Sequence, residues 1–134
     1  NKKICFIGHK NALKQYLSIE DNLALMNVGN HEDIQKYLSI FDLDKSLDIN
    51  IANLSFGQQK KIALLRLFLN SSDILILDES TANLDDRSRD LVFNLLREKN
   101  MTIINSTHDP EQFKNIDLHI NIDIVDELRI IEYR

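Results

Sequence analysis

The run Ile74-Leu75-Ile76-Leu77 is an unbroken stretch of branched aliphatic residues that ends abruptly in two acids, Asp78 and Glu79. Such a run is comfortable only in a strand covered on both faces, as in a parallel α/β sheet. Ile74–Leu77 is therefore predicted to be a buried strand. The acidic pair then falls at the carboxyl edge, where open α/β sheets place their ligands. Taken alone, the same pattern describes a core strand followed by a solvated acidic turn.

Its neighbours in the chain argue against that bland reading. Upstream lies Leu54-Ser55-Phe56-Gly57-Gln58-Gln59, and downstream lies Ser106-Thr107-His108-Asp109. Ser-x-x-Gln ahead of an apolar run is a capping box, which satisfies the orphan N–H groups of the helix that follows. A helix N-terminus with a Ser hydroxyl and a glycine is also an anion site, so both readings stand. Two adjacent acids at a strand end point to opposite sides, which lets one face a metal and the other a water. His108 follows the apolar stretch Met101–Asn105, again at a predicted carboxyl edge, where an imidazole supplies a donor without a fixed full charge.

Composition narrows the class. At 134 residues, with 43% hydrophobic and 28% charged residues, the chain reads as one soluble globular domain. A net charge of -5 and the lack of a basic stripe disfavour nucleic acid as a partner. Cys5 is the only cysteine, which excludes a disulfide framework and a cysteine-based metal site. No apolar stretch approaches the about 20 residues that cross a bilayer, so any membrane role is expected to run through a partner. The opening Asn1-Lys2-Lys3-Ile4-Cys5-Phe6-Ile7 is cut short by Gly8-His9-Lys10 and does not read as a signal peptide. The lack of an initiator Met suggests a start inside a longer reading frame.

Along the chain, Ile4–Ile7 is predicted to be a short buried strand. Ile19 to Leu25 and Glu32 to Phe41 are predicted helices, broken near Gly29, and the second carries Ile34, Tyr37, Leu38 and Phe41 on one face. Asp42 to Asn53 reads as irregular, with Asp44, Asp48 and Asn50 as turn residues. Gln58 to Leu69 and Asp86 to Lys99 read as helices, and Met101–Asn105 as the strand next to Ile74–Leu77. Pro110 fits the first turn of a further helix with Asp109 as its cap. Ile116 to Ile122 and Arg129 to Tyr133 read as short strands.

In order, Leu-Ser-x-Gly-Gln-Gln, Asp-Glu, Thr81-Ala82-Asn83-Leu84-Asp85 and Thr-His-Asp resemble the ATP-binding subunits of ABC transporters. The resemblance implies a P-loop NTPase-like (ABC ATPase) α/β fold: a parallel-sheet core with a small helical subdomain at about 18–53. The signature, Walker B, D-loop and switch-histidine region would occupy about 54–134, with the N-terminal portion of the domain missing. It further implies ATP and Mg²⁺ as ligands, a second ATPase subunit and transmembrane permease subunits as partners. Ser55, Gly57 and Gln58 match the signature that meets the γ-phosphate held mainly by the opposite subunit. Asp78 matches the acid that holds Mg²⁺, and Glu79 the residue that orients or deprotonates the attacking water. His108 matches the histidine that contacts the γ-phosphate and the catalytic Glu. Asp85 lies in the loop that couples the two ATP sites.

Two residues depart from the family pattern: Phe56 stands where a small residue is usual, and Ser80 where Pro is common. A bulky ring would bear on packing across the dimer, and loss of Pro would loosen the loop. The segment Gly8-His9-Lys10 to Lys14, then Leu17-Ser18-Ile19-Glu20-Asp21-Asn22-Leu23, is similar to the haem exporter ATPase of cytochrome c maturation. There His occupies the position of a Gln that touches Mg²⁺ and the membrane subunit, which makes His9 a further nucleotide-site candidate.

A phosphate-cradling loop needs the pattern Gly-x-x-x-x-Gly-Lys-Ser/Thr. The glycines here are Gly8, Gly29 and Gly57, so this sequence contains no P-loop. The full set of residues from Asp78 to His108 leads us to expect a fragment of a longer ATPase, powering haem export at the cytoplasmic face of the inner membrane. Alternatives are an ABC ATPase of another transporter, a DNA- or ribosome-acting ABC ATPase, or a degenerate module that no longer hydrolyses. The span from His9 to Ser55 leaves no room for the long coiled coil of the DNA-acting members. Sequence upstream of Asn1 would discriminate best: a strand and P-loop there support the transporter, and their lack supports the degenerate module.

Overall fold

The computed structural model describes residues 1–8, 10, 12–26, 30–43, 47–125 and 128–134. His9, the break at Gly29 and the turn residue Asp44 lie outside these described residues. Three parallel strands, β1 (Ile4–Ile7), β2 (Ile74–Asp78) and β3 (Thr102–Ser106), form a sheet in the order β1-β2-β3. Between β1 and β2 run helices α1 (Ile19–Leu25), α2 (His31–Ile40) and α3 (Phe56–Leu69). Helix α4 (Asp86–Arg97) crosses from β2 to β3, and an antiparallel hairpin of β4 (Ile120–Val125) and β5 (Leu128–Tyr133) ends the chain. The parallel α/β class expected from the sequence is met, and β2 and β3 are adjacent.

Register sorts the strand residues onto two faces. Cys5, Leu75 and Ile103 align across the sheet, as do Ile7, Leu77 and Asn105. Leu75, Leu77 and Ile7 join the core cluster with Ile62, Leu64 and Leu65 of α3 and Val92 and Leu96 of α4. On the opposite face Phe6, Ile76 and Ile104 align, and Phe6 and Ile104 are 56% and 54% exposed. The expectation that these strands are buried on both faces is therefore corrected. The apolar pattern is that of a doubly covered sheet, but helices cover a single face among the described residues.

The helical excursion is closed at its base. Ile19 N–H donates to Ile49 O and Glu20 N–H to Leu47 O, while Ile51 N–H returns to Leu17 O. Asn22, fully buried, ties the entrance together: its amide donates to Lys14 O and Ser18 O at 3.1 and 2.8 Å, and its Oδ1 accepts from Lys14 N–H at 2.7 Å. A buried amide satisfied this completely fixes the turn into α1. Ser18 caps α1, and the stacked Tyr37 and Phe68 rings, 5.2 Å apart, join α2 to α3.

Some elements differ from their sequence reading. Pro110–Gln112 is a single 3₁₀ turn, and Asp109 makes no side-chain cap to it. Instead the Asp109 carboxylate accepts from the Gln112 amide, and its N–H donates to Thr107 Oγ1. The antiparallel strand β4 begins at Ile120, beyond the expected Ile116. Among the described residues no helix is long and apolar enough to cross a membrane.

Candidate functional site

Strand β2 delivers Asp78 and Glu79 to the carboxyl edge of the sheet. Asp78 pairs in register with Ser106 of β3, and the Glu79 N–H extends the ladder to Ser106 O at 3.0 Å. Glu79 then adopts φ 50°, the left-handed region that costs a non-glycine residue on the order of 1 kcal/mol. The sharp turn is held because Ala82 N–H donates back to Glu79 O at 3.3 Å and Leu84 N–H to Thr81 O at 3.1 Å. Ser80 and Thr81 are buried beneath this turn. Ser80 thus stands, where Pro is common, in a loop closed by two backbone hydrogen bonds.

The turn separates the two acids. Asp78 is exposed, and its carboxylate has no hydrogen bond or ion pair among the described residues. Glu79 is 23% exposed at its side chain and points to His108, whose Nε2 lies 3.4 Å from Glu79 Oε1. His108 is 96% exposed and stands at the end of the neighbouring strand β3. An acid and an imidazole from different strands thus meet at one edge. At 3.4 Å that contact is long for a hydrogen bond. The unpaired Asp78 oxygens suit Mg²⁺, which takes one or two carboxylates, keeps waters and relies on substrate phosphates. Among the described residues no group of three or more His, Cys, Asp or Glu side chains converges into a metal cage.

Helix α3 supplies a second surface. Ser55 Oγ accepts from Gln58 N–H at 3.2 Å, and Gln58 Oε1 accepts from Ser55 N–H at 3.0 Å. The capping box is therefore real, and the N–H groups of Phe56 and Gly57, in the first turn, have no intrahelical acceptor. Phe56 is exposed beside them. A Cβ on Gly57 would stand 3.6 Å from Asn83 O, so the α3 terminus lies against the loop Thr81–Asp85. Gln59 drew no role from sequence alone, yet its amide donates to Ile51 O and Leu54 O, both at 3.1 Å. Its oxygen accepts from Gln15, so one side chain fixes how the chain enters α3.

Asp85 has a structural task. It caps α4, accepting from Ser88 N–H at 2.9 Å and from Ser88 Oγ at 2.8 Å. These hydrogen bonds, with Lys61 nearby, hold its carboxyl below the ordinary aspartate range. Elsewhere on α3, burial pushes the Lys60 ammonium below its ordinary value, with Arg66 adding to the effect.

The sequence and the fold both match a known family. The family model described as ABC transporter matches residues 1–82, which run through β1, α1 to α3, β2 and the acidic pair. This chain belongs to the ABC transporter family. It is 37% identical over 93 residues to the cytochrome c biogenesis ATP-binding export protein of Rickettsia typhi, covering 68% of this chain and 47% of that protein. It is 32% identical over 120 residues to a macrolide export ATP-binding/permease protein of Campylobacter jejuni, covering 82% of this chain and 19% of that protein. A solved Pyrococcus furiosus chain described as an ABC transporter ATP-binding protein superposes with a TM-score of 0.66 at 25% identity, covering 79% of this chain and 57% of that one. The chain thus spans less than half the length of either relative.

Proposed function

We propose that this chain forms the signature-to-switch portion of an ABC transporter ATPase, and that ATP hydrolysis by the complete domain drives export. The observation that carries the reading is the Glu79–His108 pair at the shared edge of β2 and β3, with Asp78 free beside it. Glu79 orients the attacking water and takes its proton, and His108 holds the Glu79 carboxylate while contacting the γ-phosphate. Asp78 would hold Mg²⁺, which when bound neutralises phosphate charge. Ser55, Gly57 and Gln58 present the N-terminus of α3 to the nucleotide of a second ATPase subunit. The loop ending at Asp85 reports between the two sites, and His9 remains a nucleotide-site candidate on its resemblance alone. Residues 18–53 form the helical subdomain that meets transmembrane permease subunits.

The relatives differ in their stated cargo, cytochrome c biogenesis in one and macrolide export in another. Haem export for cytochrome c assembly is the reading we favour. It rests on the 37% identity and on the segment from Gly8 to Leu23. The site of action would be the cytoplasmic face of the inner membrane, or an organellar equivalent, reached through the permease subunits. Nucleic acid is not expected as a partner of a chain with net charge -5.

A second reading has its own observation: this sequence contains no P-loop to bind the β- and γ-phosphates. A degenerate module that keeps the fold without hydrolysis fits that fact. Calorimetric titration of the 134-residue chain with MgATP should give a Kd no tighter than about 1 mM. Micromolar binding would mean that the phosphate contacts lie elsewhere than argued.

A further inference from the structure

A recess of about 160 Å³ lies between α4 and the segment from Gln112 to Asn115, and none of its lining residues belongs to the edge formed by Asp78, Glu79 and His108. We propose that it binds a small oxyanion with the chemistry of a phosphate group. Arg89, Arg97 and Lys114 line it, in a chain whose overall charge is -5. The rings of Phe93 and Phe113 meet edge to face at 5.1 Å and give the recess an apolar wall.

The Arg97 guanidinium is already fixed in place. Nη1 donates to Asn94 Oδ1 at 3.0 Å and Nη2 donates to Lys114 O at 2.6 Å. Both acceptors are neutral, so the orientation is set while the charge stays uncompensated. A planar guanidinium with unused donors is suited to two-point recognition of an oxyanion. Asp90 also lines the recess, but no ion pair joins it to Arg97 or Lys114 among the described residues.

Arg89 supplies the second observation. It is only 8% exposed, and its Nη2 pairs with Asp86 at 2.7 Å. Its Nε is buried with no hydrogen-bond partner. A buried donor on a charged group that stays unsatisfied is costly, so a small shift of Arg89 that opens its Nε to an anion in the recess would be favoured. Together these features describe a basic recess in which one guanidinium is held in place and a second lacks an acceptor.

The test is a ¹⁵N NMR titration of the full 134-residue chain with inorganic phosphate against chloride at constant ionic strength. Saturable shifts are expected at the Nε–H groups of Arg89 and Arg97 and at the amides of Phe113 and Lys114. Arg97→Gln and Lys114→Gln, both at exposed positions, should each weaken binding by about tenfold while the circular dichroism stays unchanged. Phenyl phosphate run in parallel separates two sources of the same chemistry. Tighter binding than inorganic phosphate assigns the recess to a monoester, and equal binding assigns it to the free anion. Arg87→Gln, exposed on α4 and outside the recess lining, should leave phosphate affinity unchanged. Linear shifts without saturation, parental affinity in both recess variants, or loss of binding in R87Q would each overturn the proposal.

Discussion

His108 Nε2 lies 3.4 Å from Glu79 Oε1, although twenty-odd residues and a whole helix separate them in sequence. Parallel pairing of β2 with β3 closes that gap, because Glu79 and His108 leave the same edge of the sheet one and two residues past the last pair, Asp78 and Ser106. The contact leaves His108 almost wholly exposed, so little of the fold depends on it. In the complete domain, His108→Ala is expected to slow ATP turnover by roughly 10²–10⁴-fold, the usual scale for a group acting on a proton transfer. Its melting temperature should match the parent within error. A large loss of stability in H108A would show that the histidine holds structure instead.

Asp85 predicts the opposite pattern. Its oxygens cap α4 through Ser88, so Asp85→Ala should cost about 1 kcal/mol and lower the melting temperature by roughly 3–5 °C, measured by calorimetry. Asn at this position can still cap and should cost less. Because the folded carboxyl is held below its ordinary value, the contribution is present above about pH 4 and fades as acid protonates it. The difference in stability between parent and D85A should therefore shrink as pH falls below about 4.

The two faces of one sheet should respond differently to substitution. Leu75 is fully buried, and Leu75→Ala is expected to cost about 2–5 kcal/mol by denaturant titration. Phe6 and Ile104 are aligned on the uncovered face. Phe6→Lys and Ile104→Lys should change stability by less than about 1 kcal/mol and reduce self-association seen by light scattering. A severe loss of stability in both lysine variants would mean that this face is covered in solution.

Legibility followed the kind of signal. Helices α1 to α4 and strands β1 to β3 were readable because caps and unbroken aliphatic runs carry their own local energetics. Ser55 announced α3 and Asp85 stood at the start of α4, and both caps are present. The burial of β1 and β3 was misread because a doubly apolar strand shows what it is built to meet, not what covers it here. Asp109 failed as a cap because Thr107 and Gln112 compete for its polar groups, a local choice that residue type alone does not rank. At the candidate site, the motif order pointed to Asp78, Glu79 and His108, but the bend at Glu79 needs the ladder bond to Ser106 to be seen. Asn22 was quoted as part of a subfamily match, and its side chain turns out to hold the entrance of α1. The Arg89–Asp86 pair is an i,i+3 contact within α4, and the recess around Arg97 gave no motif because Lys114 comes from the chain beyond β3.

The most direct measurement is phosphate release and ATP-dependent dimerisation by Glu79→Gln in a complete protein carrying an upstream P-loop, as the proposal requires. The amide is near-isosteric with the carboxylate but cannot take the water's proton, so hydrolysis should fall to background while ATP binding persists. Size-exclusion profiles should then show an ATP-trapped dimer, and Ser55→Arg, which places bulk at the α3 terminus, should abolish that dimer. An E79Q protein that hydrolyses ATP at the parent rate would contradict the role given to Glu79 and with it the proposed hydrolytic edge.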